Sequence, residues 1–149
     1  AAGRTSRLYN LLVKQMQVAE SVSAYNGLPA ALYPNLFAIF ASPRHPHTNA
    51  ELENIILREL EKLKTEPVTE EELTRAKNQL RMNYIKSLDS NARIASVLSY
   101  YEVLLGDYRY FSDYLKNIDK VTTQDIQNTA TNYLKKENRT IATLDRKKE

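Results

Sequence analysis

The apolar residues change their spacing along this chain, and the order of those changes limits the fold more than any single motif does. Residues 4 to 16 place Leu8, Leu11, Leu12 and Gln15 on one helical face, flanked by Tyr9 and Met16, which is the three-and-four spacing of an amphipathic helix. From Val18 to Tyr25 the side chains turn short and β-compatible, with Val22 and Ala24 on one side and Ser21 and Ser23 on the other. That is the period of two of a strand. Asn26-Gly27-Leu28-Pro29 reads as turn chemistry and Pro34-Asn35 as a second interruption, before Leu36-Phe37-Ala38-Ile39-Phe40-Ala41 resumes as another strand. This second strand is apolar on both faces. Phe37 and Ile39 are therefore expected to meet something on the side away from Leu36, Ala38 and Phe40, and in isolation one face is left uncovered.

After Ser42-Pro43-Arg44-His45-Pro46-His47 the helical period takes over. Thr48 and Glu51 are spaced as a capping box, and Leu52, Ile55, Ile56, Leu60 and Leu63 form one buried stripe that Pro67 brings to an end. Thr69 and Glu72 are a second box, followed by a long helix with Leu73, Ala76, Leu80, Tyr84 and Leu88 on one face. The period breaks at Asp89-Ser90-Asn91. Ile94, Val97, Leu98, Tyr101, Leu104 and Leu105 then make another stripe that Gly106 can close, and Phe111, Leu115 and Ile118 suggest a short helix. Thr122 with Asp125 caps a last helix whose Ile126, Ala130, Tyr133 and Leu134 are expected to point inward. Arg139-Thr140-Ile141-Ala142-Thr143-Leu144 alternates as a strand does. The order predicts an α+β fold, an antiparallel sheet with helices packed on one face, to which the final strand returns.

A chain of 149 residues is large enough for one hydrophobic core, and residues 1 to 149 are read as a single domain. There is no cysteine, which excludes disulfides and thiolate metal sites. Ala1-Ala2-Gly3-Arg4 carries neither an initiator methionine nor an apolar signal region, so the chain is expected to be a fragment of a longer one. Its apolar runs are too short to span a bilayer, and membrane insertion is not expected. The net charge is +3, but Lys and Arg interleave with Glu, and the short run Arg146-Lys147-Lys148 reads as a solvated tail. Tyr100, Tyr101, Tyr108, Tyr110 and Tyr114 cluster with Glu102, Asp107 and Asp113 among them, which argues against a nucleic-acid surface.

Each group that could carry chemistry has an ordinary structural explanation. His45 and His47 could chelate a metal from one strand face, yet Pro43 and Pro46 spoil a regular strand and no further ligands stand nearby in sequence. Glu70, Glu71 and Glu72 could form a carboxylate cluster. They occupy the first turn of a helix, where the dipole and free N–H groups favour negative charge. Ser42 and Thr48, the hydroxyls beside the histidines, read as turn and cap. Asn138-Arg139-Thr140 matches a glycosylation sequon at the start of a strand, and the three glycines are too scattered to cradle a phosphate. No residue is assigned a catalytic, cofactor-binding or metal-binding role.

Four segments together carry a family resemblance: Gly3-Arg4-Thr5-Ser6-Arg7-Leu8-Tyr9, Ala19-Glu20-Ser21-Val22-Ser23-Ala24-Tyr25, Pro67-Val68-Thr69-Glu70-Glu71-Glu72-Leu73-Thr74-Arg75-Ala76-Lys77, and Val121-Thr122-Thr123-Gln124-Asp125-Ile126. In that order they resemble the second half-unit of a pitrilysin/insulinase-type zinc metallopeptidase, similar to mitochondrial processing peptidase and bacterial zinc proteases. The resemblance implies a half-unit of the processing-peptidase type, lacking the first strand of its sheet. Family enzymes hold zinc with an inverted His-x-x-Glu-His helix and a distant Glu in their first half-unit, and that pentapeptide does not occur here. Many also use an Arg and a Tyr before the small-residue strand of a later domain to grip the substrate backbone. Val13 and Glu20 fall at those positions. A valine has no donor for a carbonyl oxygen, and a carboxylate repels an oxyanion.

What the resemblance implies is a non-catalytic wall of a peptide chamber, with zinc in the first half-unit of the parent and none in this fragment. The implied partners are the other half-units, a second subunit in two-chain members, and unfolded peptide. Bacterial members are often periplasmic, which suggests the same compartment here. Two other readings stay open at this point: a degenerate scaffold subunit of the same fold whose parent has no peptidase activity, and a helical interaction module whose likeness to the family is accidental.

Overall fold

The computed structural model describes residues 6–30 and 34–145. They fall into two compact units, one drawn from Ala1–Lys62 and Tyr133–Glu149 and the other from Leu63–Asn132. Gly3, Arg4, Thr5 and the basic run at residues 146–148 lie outside the described residues.

The first unit opens with helix α1 (Arg7–Tyr9), which Ser6 caps by accepting the Tyr9 N–H on Oγ at 3.4 Å. The helix does not end there but widens into a π-helical stretch, Asn10–Gln15, in which the Met16 N–H donates to the Leu11 carbonyl at 2.8 Å. The amphipathic face keeps Leu8 and Leu12 buried, while Gln15, expected on that face, is exposed. Gln17 then adopts φ 55°, a left-handed conformation that costs a non-glycine residue about 1–2 kcal/mol, and the chain reverses into the sheet.

Strands β1 (Ala19–Leu28) and β2 (Leu36–Pro43) pair antiparallel, with Val22 opposite Ala41, Ala24 opposite Ile39 and Asn26 opposite Phe37. The turn expected at Asn26-Gly27-Leu28 is instead strand. Gly27 takes φ 89° at a register shift between Asn26 and Leu28, so its conformational freedom serves a bulge within the ladder rather than a reversal. A two-stranded sheet is marginal alone, and here one face is covered. Val18, Ala19 and Val22 join Leu8, Leu12 and Leu52 in the core, with Ile39, Ala41, Ile55 and Ile56 packed against it. On the other face the Tyr25 and Phe40 rings meet edge-on at 6.0 Å and stay half exposed. Phe37 departs from expectation: it is 50% exposed, and only Ile39 of that pair reaches the core.

Helix α2 (Asn49–Thr65) begins with the anticipated box, Thr48 N–H donating to Glu51 Oε2 at 3.1 Å and Glu51 N–H to Thr48 Oγ1 at 3.3 Å. It also buries Glu59, whose Oε1 accepts from Lys62 Nζ at 2.6 Å. The final strand expected at Arg139–Leu144 does not form. After a 3-10 turn at Lys136–Asn138 the chain stays irregular, held at its end by Asn49 Nδ2, which donates to the Leu144 carbonyl at 3.2 Å and to Asp145 Oδ1 at 2.6 Å. Alternation supplies two faces, but a strand also needs an edge to bond to, and among the described residues none pairs with it.

The second unit is helical. Helix α3 (Glu70–Lys86) starts at a full capping box, Glu72 N–H donating to Thr69 Oγ1 at 3.1 Å and Thr69 N–H to Glu72 Oε2 at 3.1 Å. Leu73 is buried, but Ala76 and Leu80, expected on the same buried face, are exposed. Helix α4 (Asn91–Leu105) runs from Ser90 to Gly106, whose φ of 67° closes it as its position predicts. Although strongly apolar in sequence, α4 buries no residue. Helix α5 (Tyr110–Lys120) is tied to α3 by Tyr84 Oη donating to the Phe111 carbonyl, by an Arg81–Asp119 ion pair, and by Lys77 Nζ donating to the Asp119 carbonyl at 2.9 Å. Helix α6 (Thr123–Tyr133) is capped reciprocally by Thr122 and Asp125 and buries Ala130. Ile126 and Leu134 are half buried, whereas Tyr133, expected inward, is 71% exposed.

Candidate functional site

His45 and His47 sit where β2 gives way to α2, in a turn closed by the His47 N–H donating to the Arg44 carbonyl at 2.8 Å. His47 Nδ1 lies 3.2 Å from Glu51 Oε2, the same oxygen that accepts the Thr48 N–H. That carboxylate is engaged in capping. Among the described residues no group of three or more His, Cys, Asp or Glu is placed to hold a metal ion, so the residues present do not fit a zinc centre. The Glu70–Glu72 triplet is divided in the same manner, with Glu72 in its box and Glu71 Oε1 accepting from Arg75 at 2.6 Å. Val13 packs against the core of the first unit, and Glu20 is an exposed residue of β1. Ser42 lies in β2 opposite Ser21, and Asn138 ends the 3-10 turn.

A recess lies elsewhere, in the second unit, between α3, α4 and α5. It is an open cavity of about 630 Å³, and five tyrosines line it: Tyr84 from α3, Tyr100 and Tyr101 from α4, Tyr110 and Tyr114 from α5. Their rings form two aromatic groups, Tyr84 stacked on Tyr114 at 4.8 Å, and Tyr101 set against Tyr100 at 5.6 Å and tilted against Tyr110 at 5.2 Å. Val97, Leu104 and Leu105 supply the remaining apolar lining. Withdrawal from water, and then the neighbouring phenols of Tyr84, Tyr114, Tyr110 and Tyr100, push the Tyr101 hydroxyl up to about 12. Burial raises Tyr84 and Tyr114 as well. Phenols so placed remain protonated near neutrality and can donate hydrogen bonds.

Four of these tyrosines belong to the cluster visible in the sequence. Tyr108, the fifth of that cluster, is outside the recess and 54% exposed. Tyr84 takes its place, and only its spacing on the α3 face hinted that it would turn inward. The acidic residues that argued against a nucleic-acid surface are locally engaged. Glu102 accepts the Tyr108 N–H at 2.9 Å, Asp107 accepts from Arg109 at 2.8 Å, and Asp113 accepts from Lys116 at 2.9 Å. The Arg109 contacts hold the Asp107 carboxyl below its ordinary range. No helix of the described residues is long and apolar enough to cross a membrane.

Comparison with known proteins agrees with the resemblance drawn from the four sequence segments. The family model described as the Peptidase M16 inactive domain matches residues 1–80. An uncharacterized zinc protease from Rickettsia felis is 30% identical over 128 residues, 86% of this chain and 30% of the relative. The zinc protease PqqE of Helicobacter pylori is 26% identical over 134 residues, 89% of this chain and 29% of the relative. The chain thus spans under a third of the length of these curated relatives. The crystal structure of an inactive peptidase domain of a zinc protease from Bordetella parapertussis has the same fold, with a TM-score of 0.77 at 24% identity over 94% of this chain and 74% of that one. A Bordetella pertussis homologue matches with TM-score 0.77 at 25% identity over 95% of this chain and 78% of its own. A helical module with an accidental likeness is thereby excluded, and the β1–β2 ladder with helices on one face is the fold the resemblance implied. This chain belongs to the inactive-domain family of the M16 peptidases.

Proposed function

We propose that this chain is the non-catalytic domain of a zinc-dependent metalloendopeptidase, one wall of a chamber that receives unfolded peptide. In this reading residues 1 to 149 act as a single inactive domain within a longer protein. The zinc is held by a first half-unit elsewhere in the parent, and the partners are the parent's other half-units together with the peptide. The observation that carries the reading is the alignment of most of this chain with under a third of two zinc proteases, together with the match of residues 1–80 to an inactive peptidase domain. Val13 and Glu20 support it, because neither side chain can grip a peptide carbonyl as a donor at the positions where the resemblance implies an Arg and a Tyr. The contribution of such a domain is shape: apolar surface and a sheet edge presented to other parts of the enzyme.

The test is a hydrolysis assay on the isolated chain. Incubated with zinc and a denatured protein, it is expected to release no peptides. Release of peptides that a chelator abolishes would overturn the reading.

A further inference from the structure

The tyrosine recess between α3, α4 and α5 has a chemistry that its role as a wall does not require. Its lining contains aromatic rings, aliphatic side chains and two serines, and no Lys, Arg, His, Asp or Glu. An anionic ligand entering it would lose hydration without gaining a counter-charge, and a cation would have only the ring faces to offset that loss, so the lining favours an uncharged one. Both serines are already committed, Ser87 Oγ donating to the Tyr84 carbonyl at 2.6 Å and Ser96 Oγ to the Ala92 carbonyl at 2.9 Å. Tyr84 is committed to the Phe111 carbonyl. Among the described residues the hydroxyls of Tyr100, Tyr101, Tyr110 and Tyr114 donate to no protein group. The recess therefore joins exposed ring faces to several unused donors, which suits an occupant with an aromatic body and carbonyl acceptors beside it.

Its shape narrows the class further. At about 630 Å³ it falls within the usual range for ligand sites of about 300–1,000 Å³, but it is open along one side. Tyr100 and Leu105 at its rim are 50% and 54% exposed. A small molecule held for its own sake is normally enclosed. An open groove admits a chain that passes across it and inserts a side chain. We propose that this groove binds an unfolded peptide by an aromatic side chain flanked by uncharged residues, with the phenol hydroxyls around it donating to the peptide's carbonyl oxygens. The proposal rests on the reading of this chain as part of a peptide-handling enzyme, and it adds a binding site to a domain without catalytic groups.

The experiment titrates the 149-residue chain with acetyl-Ala-Phe-Ala-Phe-Ala-amide and, in parallel, with acetyl-Ala-Asp-Ala-Lys-Ala-amide and with tetramethylammonium, following tyrosine ring resonances by NMR. The aromatic peptide is expected to shift the Tyr84, Tyr101 and Tyr110 rings saturably, and the other two probes are not. Tyr101→Phe, which keeps the ring and removes one donor, should weaken binding about 2- to 12-fold, the loss of one ordinary hydrogen bond. Tyr110→Ala should weaken it more. Circular dichroism of each variant shows whether the helices persist, and the wild-type titration stands without them. The proposal is overturned if the aromatic peptide shifts none of these rings, if the charged peptide or the cation shifts them equally, or if a folded Tyr110→Ala variant binds as the wild type does. None of these outcomes bears on zinc-dependent hydrolysis by a parent enzyme, which is measured separately.

Discussion

Thr69 holds the start of α3 through two reciprocal hydrogen bonds with Glu72, and a substitution there isolates a local effect from packing, because the residue is exposed. Thr69→Ala is expected to cost about 1 kcal/mol of stability in urea denaturation, while Thr69→Ser, which can still accept the bond, should stay close to wild type. Tyr101 makes a pH-dependent prediction. Its folded phenol is pushed up to about 12 from an ordinary value of about 10, so the folded state retains a proton that the unfolded state has released. The stability that this contributes is complete below about pH 10 and is lost as pH rises through the folded value. Phenolate absorbance should therefore show Tyr101 ionising last, after the raised phenols of Tyr84 and Tyr114, together with the loss of helical circular dichroism, and Tyr101→Phe should remove that last step. Titration of all tyrosines together near the ordinary value would refute it.

Elements were legible where their signals are local. The boxes Thr48–Glu51, Thr69–Glu72 and Thr122–Asp125 and the closing glycine Gly106 depend on residues a turn apart, and each formed as its spacing indicates. Elements were misread where the deciding partner is distant. Gly27 looks like a turn residue until β2 lies beside it and converts it to a bulge, and Arg139–Leu144 has the pattern of a strand but no edge to join among the described residues. Tyr133 has the period of an inward residue at a helix end that leaves it exposed. Glu59 falls on the inner side of α2, and its Lys62 partner one turn on makes burial tolerable. The recess was half legible: four of its tyrosines cluster in sequence, but their meeting with Tyr84 depends on how α3, α4 and α5 pack. For the helix-on-sheet element itself, Leu12 is the most informative position, since it is fully buried at 0% exposure. Leu12→Ala should destabilise the chain by about 2–5 kcal/mol, whereas Leu144→Ala, at 95% exposure, should change stability by no more than about 0.5 kcal/mol. Equal effects in denaturation would contradict the assigned core.

At the scale of the whole molecule, the α+β chain is built from helix, strand and cap signals, and of the residues with chemical potential His47, Glu51, Glu71 and Glu72 are engaged in a turn, in caps and in ion pairs. The family match and the zinc proteases that resemble this chain over under a third of their length support the proposed function, in which this domain stands beside the chemistry rather than at it. The account rests on the absence of a metal centre of its own, for which His45, His47 and Glu51 are the nearest candidates. Equilibrium dialysis of the chain against zinc at neutral pH, with the bound metal quantified, addresses this directly. Only weak binding, well below one zinc per chain at micromolar metal and unchanged by replacing both histidines with alanine, is expected. One tightly held zinc per chain, lost with those histidines, would contradict the account.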